Sequence, residues 1–273
     1  MYLLNILLIL FPILSILGDD WGYDKNNGPH TWGGTCKTGK KQSPVDIVTE
    51  KLVERCSLPL RLYNYNLAGD VVVENTGHGV EISGFKNWKN KQPFIAYGNF
   101  VGRYFLEQLN FHWSTNRNGS EHTINGRRFA AEVHYVYVKE GYTYEEALKR
   151  PDGIVISAIF LEIGGNGHAL SIIEKYLPQV VLYRKTVKIP NFIVGFSIPD
   201  KWNEYYRYDG SFTRPNCAEV VNWIILPGPV QFTQKQLDLF RKIEGPNGKA
   251  LGSNVRPTQP LNQRRVEHRP PNC

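Results

Sequence analysis

Two short runs hold the residues that can do chemistry. One is Gln108-Leu109-Asn110-Phe111-His112-Trp113. The other begins at Ser120-Glu121-His122 and resumes at Ala131-Glu132-Val133-His134. Side chains alternate along an extended chain, so Asn110 and His112 share one face, as do Glu132 and His134. Laid side by side as strands, the two segments bring Asn110, His112 and His134 to one point. Three converging side chains with an open fourth position is the layout of a catalytic zinc site. Asn110 is the unusual member, because a neutral amide oxygen is a poor zinc ligand beside an imidazole nitrogen.

The elements that must position these residues read as strands. Phe129 to Val138 alternates, with Glu132, His134, Val136 and Val138 on one face and Val133, Tyr135 and Tyr137 on the other. Ile154 to Ile163 is an apolar, β-rich run and reads as a buried strand. Val71 to Glu74, Val180 to Tyr183 and Phe192 to Ile198 read as further strands. Helical signals are sparse: Tyr144 to Lys149, Ser171 to Leu177, and a capping box at Thr233-x-x-Gln236 opening a helix to Glu244, with Gly245 as its stop. No repeat or low-complexity linker marks a domain boundary.

The 273-residue chain carries a net charge of +7. It has no long basic run and no ladder of aromatic and basic residues, so nucleic acid is not an expected partner and the excess reads as basic surface. Part of it sits near the end, at Arg256, Arg264, Arg265 and Arg269. Residues 1–18 are almost wholly apolar and read as a secretory signal peptide, too short for a stable membrane span. Residues 19–273 then form a single secreted domain. Asn118-Gly119-Ser120 is an N-glycosylation sequon, which has meaning in a secreted chain. Four cysteines, Cys36, Cys56, Cys217 and Cys273, meet an oxidising compartment and allow three fully paired connectivities.

The runs Asn110-Phe111-His112-Trp113, Ser120-Glu121-His122-Thr123 and Ala131-Glu132-Val133-His134 resemble the motifs of the α-class carbonic anhydrases, and the likeness extends from about Trp21 to Val266. The resemblance implies a mainly β (α+β) fold. Its centre is a large, twisted, mostly antiparallel sheet with short surface helices, and a zinc site lies at the base of a conical cleft. It implies His112 and His134 as zinc ligands, with Asn110 standing where the family has its first ligating histidine. Gln108 would orient position 110, Glu132 would accept from His134, and the Asn254 carbonyl would orient His112. Thr213 would take a hydrogen bond from the zinc-bound hydroxide and donate one to Glu121. His78 matches the proton-shuttle histidine. Tyr23, Val136, Ile154, Ile156, Phe212, Arg214 and Trp223 match pocket positions, with Arg214 a bulky cation where the family usually has a small polar residue or a histidine. His122 matches a buried structural histidine, while His30, His168 and His268 read as solvent-facing. Secreted members usually bridge the positions matching Cys36 and Cys217. Cys56 and Cys273 could form a second bridge, or Cys273 could pair between chains.

Two functions follow from the resemblance. One is reversible hydration of CO2 to bicarbonate and a proton, weakened or limited by zinc because of Asn110. The other is a catalytically inactive carbonic anhydrase-related protein that binds an unknown protein partner.

Overall fold

The computed structural model describes residues 21–273. The signal-peptide reading of residues 1–18 falls outside them. Among the described residues fourteen strands are present: β1 (Asp46–Ile47), β2 (Val53–Glu54), β3 (Arg61–Tyr63), β4 (Ala68–Asn75), β5 (Val80–Ser83), β6 (Phe94–Ala96), β7 (Arg103–Trp113), β8 (Thr123–Ile124), β9 (Ala131–Lys139), β10 (Ile154–Ile163), β11 (Thr186–Ile193), β12 (Tyr205–Gly210), β13 (Val221–Phe232) and β14 (Glu267–Arg269). Twelve of them make one sheet along the path β11-β4-β5-β7-β9-β10-β13-β12-β14-β2, with β6 beside β7 and β3 beside β6. Only β10–β13 and β14–β2 run parallel within it. The architecture is the mostly antiparallel, few-helix sheet of the α-carbonic anhydrase fold.

The centre of this sheet positions the chemistry. Strand β7 pairs antiparallel with β9, setting Asn110 opposite His134 and His112 opposite Glu132. Their alternate neighbours, Leu109, Phe111 and Trp113 on β7 and Val133, Tyr135 and Tyr137 on β9, pack into the core on the reverse face. Val136 and Val138 join a second apolar cluster with Ile154, Ile156, Phe160 and Trp223 on the polar side chains' own face. Strand β10 is apolar at nearly every position because it lies between β9 and β13 with both faces covered.

Two strand expectations need correction. Val180 to Tyr183 is not a strand: a 3-10 turn, Leu177–Gln179, precedes it, and the chain turns through 182–184 before β11. Val180 is wholly enclosed instead, whereas Leu182 is exposed. The strand expected over Phe192 to Ile198 ends at Ile193, and Val194–Ser197 forms a 3-10 turn. There the Gly195 N–H donates to the Tyr65 carbonyl at 2.9 Å. A Cβ on Gly195 would lie 2.8 Å from that carbonyl oxygen, so the approach requires glycine.

The capping box forms as read. Thr233 Oγ1 accepts from the Gln236 N–H and Gln236 Oε1 accepts from the Thr233 N–H. The helix stops at Phe240 rather than Glu244, because bonds from Lys242 to Leu239 and from Ile243 to Phe240 tighten its end. The expected helix over Ser171 to Leu177 shortens to Ser171–Glu174, and that over Tyr144 to Lys149 to Tyr144–Ala147.

Both cysteine pairs are bridged within the chain, Cys36–Cys217 across 181 residues and Cys56–Cys273 across 217. The first packs against Trp32, beside Trp21 and Tyr23. The second ties the C-terminal residue to the segment leading into β3. Cys56→Ser with Cys273→Ser is expected to lower unfolding free energy by about 2–4 kcal/mol. Urea denaturation of the pair beside the native protein checks it.

Candidate metal centre

His112 and His134 stand at the floor of a cleft. Asn110, Val136, Ile156, Phe212, Thr213, Arg214, His78, Tyr23 and Trp21 also line it. Each histidine has one ring nitrogen fixed by a neighbour. His112 Nδ1 donates to the Asn254 carbonyl at 3.0 Å, which leaves Nε2 as its open nitrogen. His134 Nε2 donates to Glu132 Oε1 at 2.6 Å, which leaves Nδ1. Such partners set the tautomer and ring angle of a metal-binding histidine.

Asn254 can hold its carbonyl on His112 because it is stapled to β7. Its side chain accepts from Trp113 N–H at 2.8 Å and donates to the Phe111 carbonyl at 2.8 Å, and its own N–H donates to the Trp113 carbonyl. Glu132 is wholly buried and accepts four hydrogen bonds. The backbone N–H groups of Glu121 and His122 reach Oε2, and His122 Nδ1 and His134 Nε2 reach Oε1, all within 2.8 Å. Burial opposes its ionisation, but the His122 ring and the hydrogen bonds from His122 and His134 outweigh that and hold the carboxyl well below the usual range. His122 is anchored in turn by the Tyr208 hydroxyl, 2.7 Å from Nε2. Burial pushes the His112 pKa down, which favours the neutral ring a metal needs.

Asn110 is half-buried beside these two rings. The expected support from Gln108 is absent: Gln108 Nε2 is buried without a hydrogen-bond partner, and no bond joins Gln108 to Asn110 among the described residues. The amide of Asn110 is shorter than an imidazole and does not span to it. The bond expected from Thr213 to Glu121 is also absent. Glu121 Oε1 accepts from the Arg256 N–H at 2.8 Å, while Oε2 has no hydrogen-bond donor and points instead toward His112 Nε2, 3.5 Å away.

The remaining expected residues divide. His78 lines the cleft, its ring stacked on Trp21 with centroids 3.7 Å apart. Tyr23 packs against Trp21 and Trp32, and burial pushes its hydroxyl pKa up. Ile154 and Trp223 do not line the cleft. Ile154 is fully enclosed opposite Val138, and Trp223 lies behind the site with its ring 4.8 Å from that of His134. Arg214 lines the cleft, with its Nη1 4.0 Å from Glu81 Oε2. Glu81 is paired opposite Asn110 across β5 and β7. Asn118 is exposed in a loop, whereas Ser120 of its sequon is buried, donating to the His122 carbonyl and accepting from the Phe129 N–H. His30 and His168 are exposed, but His268 is half-buried and hydrogen-bonded to Glu204.

Sequence reasoning missed Arg256. Counted there as surface charge, it is 2% exposed. Its guanidinium donates to the Ser43 and Cys36 carbonyls and lies over the Trp32 ring, while its N–H holds Glu121. Arg269 is buried likewise, on the Ser57 and Asn203 carbonyls. The available signal for Arg256 was its place two residues after Asn254, whose carbonyl was expected to orient His112.

A buried pair of oriented imidazoles in a β-sheet cleft, backed by buried carboxylates, is an arrangement that could hold a metal ion. The chain belongs to the eukaryotic-type carbonic anhydrase family, whose model matches residues 27–270. It is 37% identical over 273 residues to "Putative carbonic anhydrase 5" of Caenorhabditis elegans, covering 98% of this chain and 88% of that protein. It is 33% identical to "Putative carbonic anhydrase 3" of the same organism, covering 91% and 97%. It is also 33% identical to "Carbonic anhydrase 1" of Monodelphis domestica, again covering 91% and 97%.

Proposed function

We propose that this chain is a secreted carbonic anhydrase that hydrates CO2 reversibly to bicarbonate and a proton, at a rate limited by zinc retention because Asn110 replaces the family's first zinc-binding histidine. The observation that carries this reading is the fixed tautomer of both remaining histidines, each with one nitrogen bonded outward and one open to the cleft. That donor chemistry fits zinc, and His112 and His134 would hold it. Zinc supplies the Lewis acidity that makes water acidic near neutral pH. Val136, Ile156 and Phe212 offer an apolar wall on which CO2 can rest beside the two rings. His78 would take the released proton on its imidazole and pass it to buffer, a task suited to a group titrating near neutrality. Export through residues 1–18 and a glycan at Asn118 belong to the same proposal.

The test is CO2 hydration by the purified protein at graded zinc. The rate is expected to rise with zinc and fall with a chelator. A rate equal to that of buffer at saturating zinc defeats the reading. His78→Ala is expected to slow hydration by about tenfold or more in weak buffer, with recovery on adding free imidazole. Loss without recovery would remove the shuttle role.

One observation favours a second reading, a non-catalytic binding protein with an unidentified protein partner. The Arg214 guanidinium, 4.0 Å from Glu81, brings a bulky cation to the cleft beside Thr213. Arg214→Thr separates the readings, since relief of hydration by this change supports the enzyme.

A further inference from the structure

We propose that Glu121, rather than Asn110, is the third protein ligand of the metal, so that this chain holds a divalent ion with two histidines and one carboxylate. The inference rests on the reading above that the cleft holds a metal. Its basis is a pair of buried acceptors that face each other. The single N–H of a neutral His112 ring is used on the Asn254 carbonyl, so Nε2 presents a lone pair. That lone pair lies 3.5 Å from Glu121 Oε2. Glu121 is wholly buried, its Oε1 is satisfied by Arg256, and Oε2 has no donor.

Two buried acceptors in this arrangement repel, and each has lost its hydration. A cation between them removes both costs. The separation suits one, because two atoms bound to zinc at about 2.0–2.1 Å with tetrahedral angles lie about 3.4 Å apart. One nitrogen each of His112 and His134 and one carboxylate oxygen of Glu121 lie within 4.8 Å of one another, His134 Nε2 being 3.9 Å from Glu121 Oε2. A second group, His122, Glu132 and His134, meets the same limit, but its contacts are its own hydrogen bonds and it needs no ion. The anionic oxygen of Glu121 is a stronger donor to a dication than the neutral amide of Asn110. A ligating Glu121 also accounts for the missing Thr213 bond, since the oxygen that would accept it is turned to the metal position.

A carboxylate in place of an imidazole also makes the donor set more favourable to harder ions such as Mn2+. The experiment is competition titration of Zn2+ and Mn2+ against a chromophoric chelator, with the full-length native protein, Glu121→Gln, Asn110→Ala, Asn110→His and Asn110→His/Glu121→Gln. Glutamine keeps the shape of Glu121 and the acceptor for Arg256. Glu121→Gln is expected to weaken Zn2+ binding about a hundredfold in the native background and less than about threefold beside Asn110→His. Asn110→Ala is expected to change it less than about threefold. A large loss with Asn110→Ala, or none with Glu121→Gln, overturns the assignment. If Glu121→Gln does not fold, a crystal structure of the zinc-loaded native protein decides, by whether Glu121 Oε2 is bonded to the ion. None of these titrations reads hydration. Tight zinc through Glu121 without CO2 turnover defeats the proposed function and keeps this inference, whereas turnover with zinc retained in Glu121→Gln does the opposite.

Discussion

Asn110→His is expected to bind zinc about a hundredfold more tightly than the native chain, or ~2.8 kcal/mol. The position is prepared for an imidazole. Asn110 pairs directly opposite His134, two residues from His112 on the same strand face. Gln108, the next residue on that face, has a buried amide nitrogen without a partner. An imidazole at 110 is longer than the amide, so its second nitrogen can reach the Gln108 side chain while the first faces the metal. That adds a neutral nitrogen ligand whose tautomer is set by its neighbour, as the Asn254 carbonyl sets His112 and Glu132 sets His134. It also frees Glu121 to accept from Thr213. Competition against a chelator of known affinity checks the result. An unchanged affinity would mean that Asn110 is not what limits the site.

Glu132→Gln is expected to destabilise the fold by about 3–5 kcal/mol, although it lies far from any surface. The native carboxylate is an acceptor for four N–H groups, two from backbone and two from imidazoles. A glutamine can offer one acceptor oxygen, and its NH2 must then face donors. If the oxygen stays with the two rings, the N–H groups of Glu121 and His122 are left buried and unbonded. If it turns to the backbone, both histidines lose their orientation. Zinc affinity is therefore expected to fall as well, by about ten- to a hundredfold. Urea unfolding and zinc titration of the same sample separate the two effects. A variant as stable as the native protein would contradict the four-bond account.

The strand pair at the centre was legible because alternation survives without knowledge of the rest. Leu109, Phe111, Trp113 and Val133, Tyr135, Tyr137 are apolar, and of the residues between them Asn110, His112 and His134 are polar, which already divides the two faces. The capping box at Thr233 was legible for the same local reason. What was not legible depends on distant partners. Arg256 reads as a surface cation until the Cys36 and Ser43 carbonyls, more than 200 residues earlier, close around it. Val180 reads as strand because burial and strand pairing both select β-branched residues, and only its neighbours show that burial applies. Ile154 and Trp223 belong to the right segment, yet their side chains pack one layer behind the cleft. The direction of Glu121 Oε2 could not be read at all, since motif spacing places a carboxylate near the site without saying which neighbour it faces.

The most direct test of the account is CO2 hydration by the native protein in excess zinc, beside Asn110→His under the same conditions. The account predicts slow, zinc-dependent turnover by the native chain and at least a tenfold faster rate in the variant. A native rate already as fast as the variant's, or two inert proteins that both hold zinc, would contradict it.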